Sequence, residues 1–109
     1  MAIVQKVLGQ NKPSAVTLTD MYTVPALTQA TCSTIIVTNQ SAVATSFRIS
    51  VAVAGLADTS KQYLYYDVAI PGNDVFAATL GITLGAADVV RCYATLATLS
   101  FNLFGAETT

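Results

Sequence analysis

No histidine occurs among the 109 residues, and charged side chains make up only 10% of them, against roughly 25% in an ordinary soluble domain. Each shortage excludes something. Without imidazole, serine hydroxyls have no partner to activate them, and no Gly-x-Ser-x-Gly elbow is present. Two cysteines without histidine make no zinc site. The carboxylates Asp20, Asp58, Asp67, Asp74, Asp88 and Glu107 lie mostly at or beside predicted turns, where Asp caps its own backbone. They form no Asp-x-Asp-x-Asp calcium loop, and the scattered glycines open no phosphate loop. We therefore expect no enzyme: no catalytic residue, no cofactor and no metal.

The low charge also limits partners. Net charge is −1, and Lys6, Lys12, Arg48, Lys61 and Arg91 are dispersed, so no basic stripe tracks phosphates and no nucleic acid is expected. No run approaches the ~20 unbroken apolar residues of a spanning helix, and no membrane partner is expected. The segment Met1 to Leu8 carries Gln5 and Lys6 inside its apolar run and lacks a signal-peptide core. This predicts folding in a cytoplasm, with Cys32 and Cys92 as unlinked, buried thiols.

What the chain does have is alternation. From Thr45 to Ala54, Phe47, Ile49, Val51 and Val53 fall on one face and Ser46, Arg48, Ser50, Ala52 and Ala54 on the other, the period of two that marks a half-buried strand. Thr31 to Asn39 sets Ile35 and Val37 against Thr34, Ile36 and Thr38, and Thr98 to Phe104 sets Leu99, Phe101 and Leu103 against Ser100 and Asn102. Further runs are predicted over residues 3–8, 16–23, 62–70, 75–84 and 89–93. The fourth of these competes with helix because of Ala77 and Ala78, but Thr79, Gly81 and Thr83 favour strand. Residues 9–14 read as a loop and 107–109 as a polar tail. About eight strands at spacings near ten residues predict one all-β domain over residues 1–109, an antiparallel sandwich of immunoglobulin-like or jelly-roll type.

Three groups are candidates for interaction. Tyr63, Tyr65 and Tyr66 form the densest polar-aromatic cluster, either a recognition patch or sheet packing with hydroxyls at the rim. In a regular strand Tyr63, Tyr65 and Asp67 share one face. Arg48 and Arg91 interrupt apolar strands, either to bridge a neighbour's carboxylate or to mark the solvent side. Ile3, Val4, Val7 and Leu8 form an apolar end run that either adds to a neighbour's open sheet edge or pairs as an edge strand of its own sandwich. A surface so poor in charge is prone to self-association, and burial against neighbours relieves it.

Four segments carry a resemblance: residues 7–10 (VLGQ), 18–26 (LTDMYTVPA), 63–67 with 70–74 (YLYYD and IPGND), and 99–105 (LSFNLFG). Together they resemble a family of small virion proteins of tailed bacteriophages. The resemblance implies a β-sandwich built into the particle, decorating the head or dressing the neck and tail. It carries no site residue. The expectation is a non-enzymatic structural protein, a homo-oligomer or multi-copy component that binds capsid or neck and tail subunits, located in the virion and assembled in the host cytoplasm. A fibre-attachment or host-glycan-binding module is the alternative.

Overall fold

The computed structural model describes residues 2–109. Its strands are β1 (Ile3–Asn11), β2 (Thr19–Thr23), β3 (Gln29–Asn39), β4 (Thr45–Ala52), β5 (Tyr63–Ile70), β6 (Val75–Leu84), β7 (Val89–Ala94) and β8 (Leu99–Thr108). Two single-turn 3-10 segments, Val53–Gly55 and Ser60–Gln62, interrupt the connection between β4 and β5. The strands form two four-stranded sheets, ordered β1-β8-β3-β6 and β2-β7-β4-β5, and all pair antiparallel. The first strand pairs with the eighth, the second with the seventh, the third with the sixth and the fourth with the fifth. That is one long hairpin rolled on itself, the jelly-roll order.

Alternation places the core between the sheets. Ile35 and Val37 from β3, Phe47 and Ile49 from β4, and Leu99, Phe101 and Leu103 from β8 are fully buried. Val51, expected among them, is only partly buried at the core's margin. The Phe47 ring sits 5.1 Å from that of Phe76 and 6.0 Å from that of Phe101, centroid to centroid. It therefore joins the two sheets through aromatic contacts, each adding about 0.5–1.5 kcal/mol to the burial.

Cys32 lies on β3 and Cys92 on β7, in different sheets, and both are free and fully buried. Burial pushes the Cys32 thiol up to about 11 and the Cys92 thiol up to about 12, so neither is a nucleophile at neutral pH. Alkylating reagent at pH 8 should leave the native protein unlabelled and label two thiols after denaturation. Rapid labelling of the native protein would show that the core opens locally.

Several boundaries differ from the sequence expectation. The run beginning at Val16 is strand only from Thr19, because Val16 has a positive φ of 54° and only an isolated bridge joins Ala15 to Ala94. β1 does not stop at Gly9. It passes through a bulge at Leu8 and pairs with β8 as far as Asn11. The polar end of the chain is not a tail, since β8 runs to Thr108 between β1 and β3.

A line of irregularities crosses the first sheet. β1 has an extra residue at Leu8, β3 at Ser33 and β6 at Leu80–Gly81, all near the level of Phe104 and Gly105 on β8. Bulges bend a sheet and increase its local twist. At the centre of this bend only glycine fits position 105, since a Cβ there would lie 2.0 Å from the Thr31 carbonyl oxygen.

Candidate interaction surfaces

The two outer faces of the sandwich differ sharply in charge. On the first sheet the register turns outward Ile3, Gln5 and Val7 from β1, and Ser100, Asn102, Phe104 and Ala106 from β8. It turns outward Thr31, Thr34, Ile36 and Thr38 from β3, with Val75, Ala77, Thr79 and Thr83 from β6. None of these carries a charge. Cross-strand partners share a face, so the surface is a continuous mixture of aliphatic, Thr and amide groups. The bend opens a shallow groove of about 520 Å³ in it, bordered by Lys6, Val7, Thr31, Ser33, Phe104 and Ala106; Lys6 is its one charged residue.

The ionic residues of this sheet point the other way. Glu107 is paired with inward-facing Ala30 and meets Lys6 Nζ at 3.2 Å. Tyr22, from the opposite sheet, donates its hydroxyl to Glu107 Oε2 at 2.6 Å. This triad closes the side of the sandwich where β1 faces β2. The Tyr22 hydroxyl and the Lys6 ammonium together hold the Glu107 carboxyl below its usual value of 4.5. Burial, then the neighbouring carboxylate, raises the Tyr22 phenol.

A lowered folded-state value means that Glu107 stabilises the fold above the unfolded value, and that this stabilisation is lost as pH falls through the folded one. Denaturant midpoints should show wild type more stable than Glu107→Gln at pH 7, with the gap closing as pH drops below 4.5. A gap independent of pH would remove the triad from the account.

The outer face of the second sheet is charged, but its charges are already matched. The register sets Asp20 opposite Arg91, Arg91 opposite Ser50, and Arg48 opposite Tyr93. Arg91 donates from Nε to Asp20 at 2.8 Å and from Nη1 to Asp58 at 2.6 Å. It also donates to the carbonyls of Leu56 and Gly55. Ser50 bonds the other oxygen of Asp58. The connection over residues 53–62 is thereby drawn down onto the sheet, which explains why Ser50 and Ala52 are fully buried on an outward face. Hydrogen bonds to Asp20 and then Asp58 hold the Arg91 guanidinium in its charged form.

Arg48 makes a two-pronged contact with Asp67, 2.6 Å from Nε and 3.2 Å from Nη2. Its guanidinium carbon lies 4.2 Å from the Tyr66 ring centre and 4.5 Å from that of Tyr93. Both arginines, expected either to bridge a neighbour or to mark the solvent side, find carboxylates within their own chain.

The tyrosine cluster is split by two irregularities in β5. Phe47 pairs with Val68, Ile49 with Tyr65 and Ser50 with Tyr63, and Asp67 takes a positive φ of 51°. The expected common face of Tyr63, Tyr65 and Asp67 is therefore broken. Tyr65 turns inward against Phe47 and Phe76, at 6.4 and 5.3 Å. Tyr63 and Tyr66 pack edge to face at 5.0 Å on the outside. They border a shallow pocket of about 480 Å³ with Asp58, Thr59 and Ser60.

Of the end run, Ile3, Val4 and Val7 are exposed, whereas the bulge at Leu8 sends that side chain into the core. Leu8 is thus corrected from a surface candidate to a core residue. The run is an edge strand of its own sandwich, the second of the two arrangements expected for it. Phe104 and Ile36, central to the uncharged face, had no flag in the sequence. Their signal was the absence of charge at alternate positions of β3, β6 and β8, which becomes visible only once those strands are known to be neighbours. Among the described residues no helix is long and apolar enough to cross a membrane. No family model, curated protein or solved structure matches this chain.

Proposed function

We propose that this protein is a non-enzymatic structural component of a tailed-phage virion, binding capsid or neck and tail subunits in many copies. The observation that supports this most is the uncharged outer face of the first sheet. Permanent protein contacts are depleted of charge at their centres, and a four-strand face whose outward register positions carry no ionic group fits burial better than exposure. The jelly roll adds support by analogy, since viral capsid domains often use it. The second reading, a glycan-binding module, is favoured by the Tyr63–Tyr66 pocket with its carboxylate and hydroxyl rim.

Quantitative mass spectrometry of gradient-purified particles tests the first reading. The protein should be present in stoichiometric amounts and remain after a wash in about 1 M salt, because an uncharged contact is not screened. Hundreds of copies indicate head decoration, and six to a few dozen indicate neck or tail. Its absence from washed particles, with glycan-array binding that Tyr66→Ala abolishes, would favour the second reading.

A further inference from the structure

Four strands stand at sheet edges: β1 and β6 in the first sheet, β2 and β5 in the second. Open edges invite pairing with other chains, and folded proteins blunt them with charge, shortness or bulges. β1 carries Lys6. β2 is five residues long and carries Asp20, and β5 carries Asp67 beside a break in register. β6 runs for ten residues without a charge or a proline, with a single irregularity at Leu80–Gly81. It is the least defended edge.

The core also opens on that side. Of the seven partly buried apolar residues packed against the core, Tyr65 and Val68 lie on β5, and Phe76, Ala78, Leu80 and Ile82 on β6. The opposite side is closed by Lys6, Glu107 and Tyr22. Among the described residues no ion pair spans the side where β5 faces β6.

We propose that two copies of this chain pair antiparallel through β6, joining their first sheets into one eight-stranded sheet and covering this open side. A second copy fits for three reasons. Self-pairing of a charged edge brings like charges together across the two-fold axis, and β6 has none to bring. β6 also contains no proline, so none of its amides lacks the donor that a paired edge needs. The area also suffices: ten residues at ~3.4 Å each, on a molecule whose shortest dimension is 19 Å, give a side wall of roughly 650 Å² per copy, within the range of stable pairs. Each copy has only one β6 edge, so the assembly closes at two. The uncharged outer faces then run on from one copy to the next. In naming a first contact for the assembly proposed above, the inference rests on that reading for its purpose. The contact itself is measured without particles, so a dimer missing from particles would count against the virion reading alone.

Sedimentation equilibrium on the purified protein from about 1 to 100 µM should show a monomer–dimer equilibrium with micromolar or tighter dissociation. Hydrogen exchange should slow over residues 75–84 as concentration rises, while residues 3–11 exchange at one rate throughout. Ala77→Lys, at an exposed position outside the core, should leave the circular dichroism unchanged and weaken the dimer at least about tenfold. Failure of any of these three results overturns the proposal.

Discussion

Phe47→Ala should destabilise the fold by about 3–5 kcal/mol, the cost of removing a large side chain from a site that cannot collapse. The residue is fully buried and touches aromatic rings from three other strands: Tyr65 on β5, Phe76 on β6 and Phe101 on β8. Neighbours anchored in two sheets cannot close over the cavity together. A domain of this length has a total stability of about 5–15 kcal/mol, so the variant should lie near the threshold of folding. Denaturant unfolding provides the check. A loss below about 1 kcal/mol would mean that the ring is not the joint between the sheets.

Arg91→Met should cost about 3 kcal/mol, although it keeps an apolar stem of similar length. The reason is Asp58, whose side chain is only 7% exposed and whose charge would lose its partner. Asp20 is 62% exposed, so Asp20→Ala should cost less than about 1 kcal/mol. The same substitution at Arg91 removes the donors to the Leu56 and Gly55 carbonyls. Limited proteolysis should then cut within residues 53–62 in Arg91→Met and not in wild type. Equal losses in Arg91→Met and Asp20→Ala would show that the connection is held by something other than this arginine.

These two sites mark the extent to which the structure can be read from the sequence. The core was legible because alternation in β3, β4 and β8 is nearly unbroken, and Ile35, Val37, Phe47, Ile49, Leu99 and Phe101 all face inward as the period of two requires. Alternation fails at a bulge, where one extra residue turns every later side chain to the other face. That is why strict alternation places Tyr65 on the face of Tyr63, and why it does not send Leu8 into the core. The partners of Arg91 are separated from it by 71 and 33 positions. No local pattern links them, and only the order of the strands brings them together. Glu107 was illegible for a similar reason. A short polar ending reads as a tail until β1 and β3 are seen on either side of it.

The uncharged face was half legible. Composition showed that charge was scarce, and alternation showed where Thr and Ser alternate with apolar residues. Neither showed that, among the described residues, the outward register positions of the first sheet carry no charge. That segregation links the fold to the proposed function, since covering such a face desolvates no ion at its outward positions and asks only that its hydroxyl and amide groups find hydrogen-bond partners.

The most direct test is a density map of the intact particle at a resolution that places individual strands. Many copies are expected, each with the outer face of the first sheet, including Ile36 and Phe104, packed against a capsid or neck and tail subunit. A map in which that face points to solvent while the Arg48 and Arg91 face makes the contacts, or in which no copy is present, would contradict this arrangement.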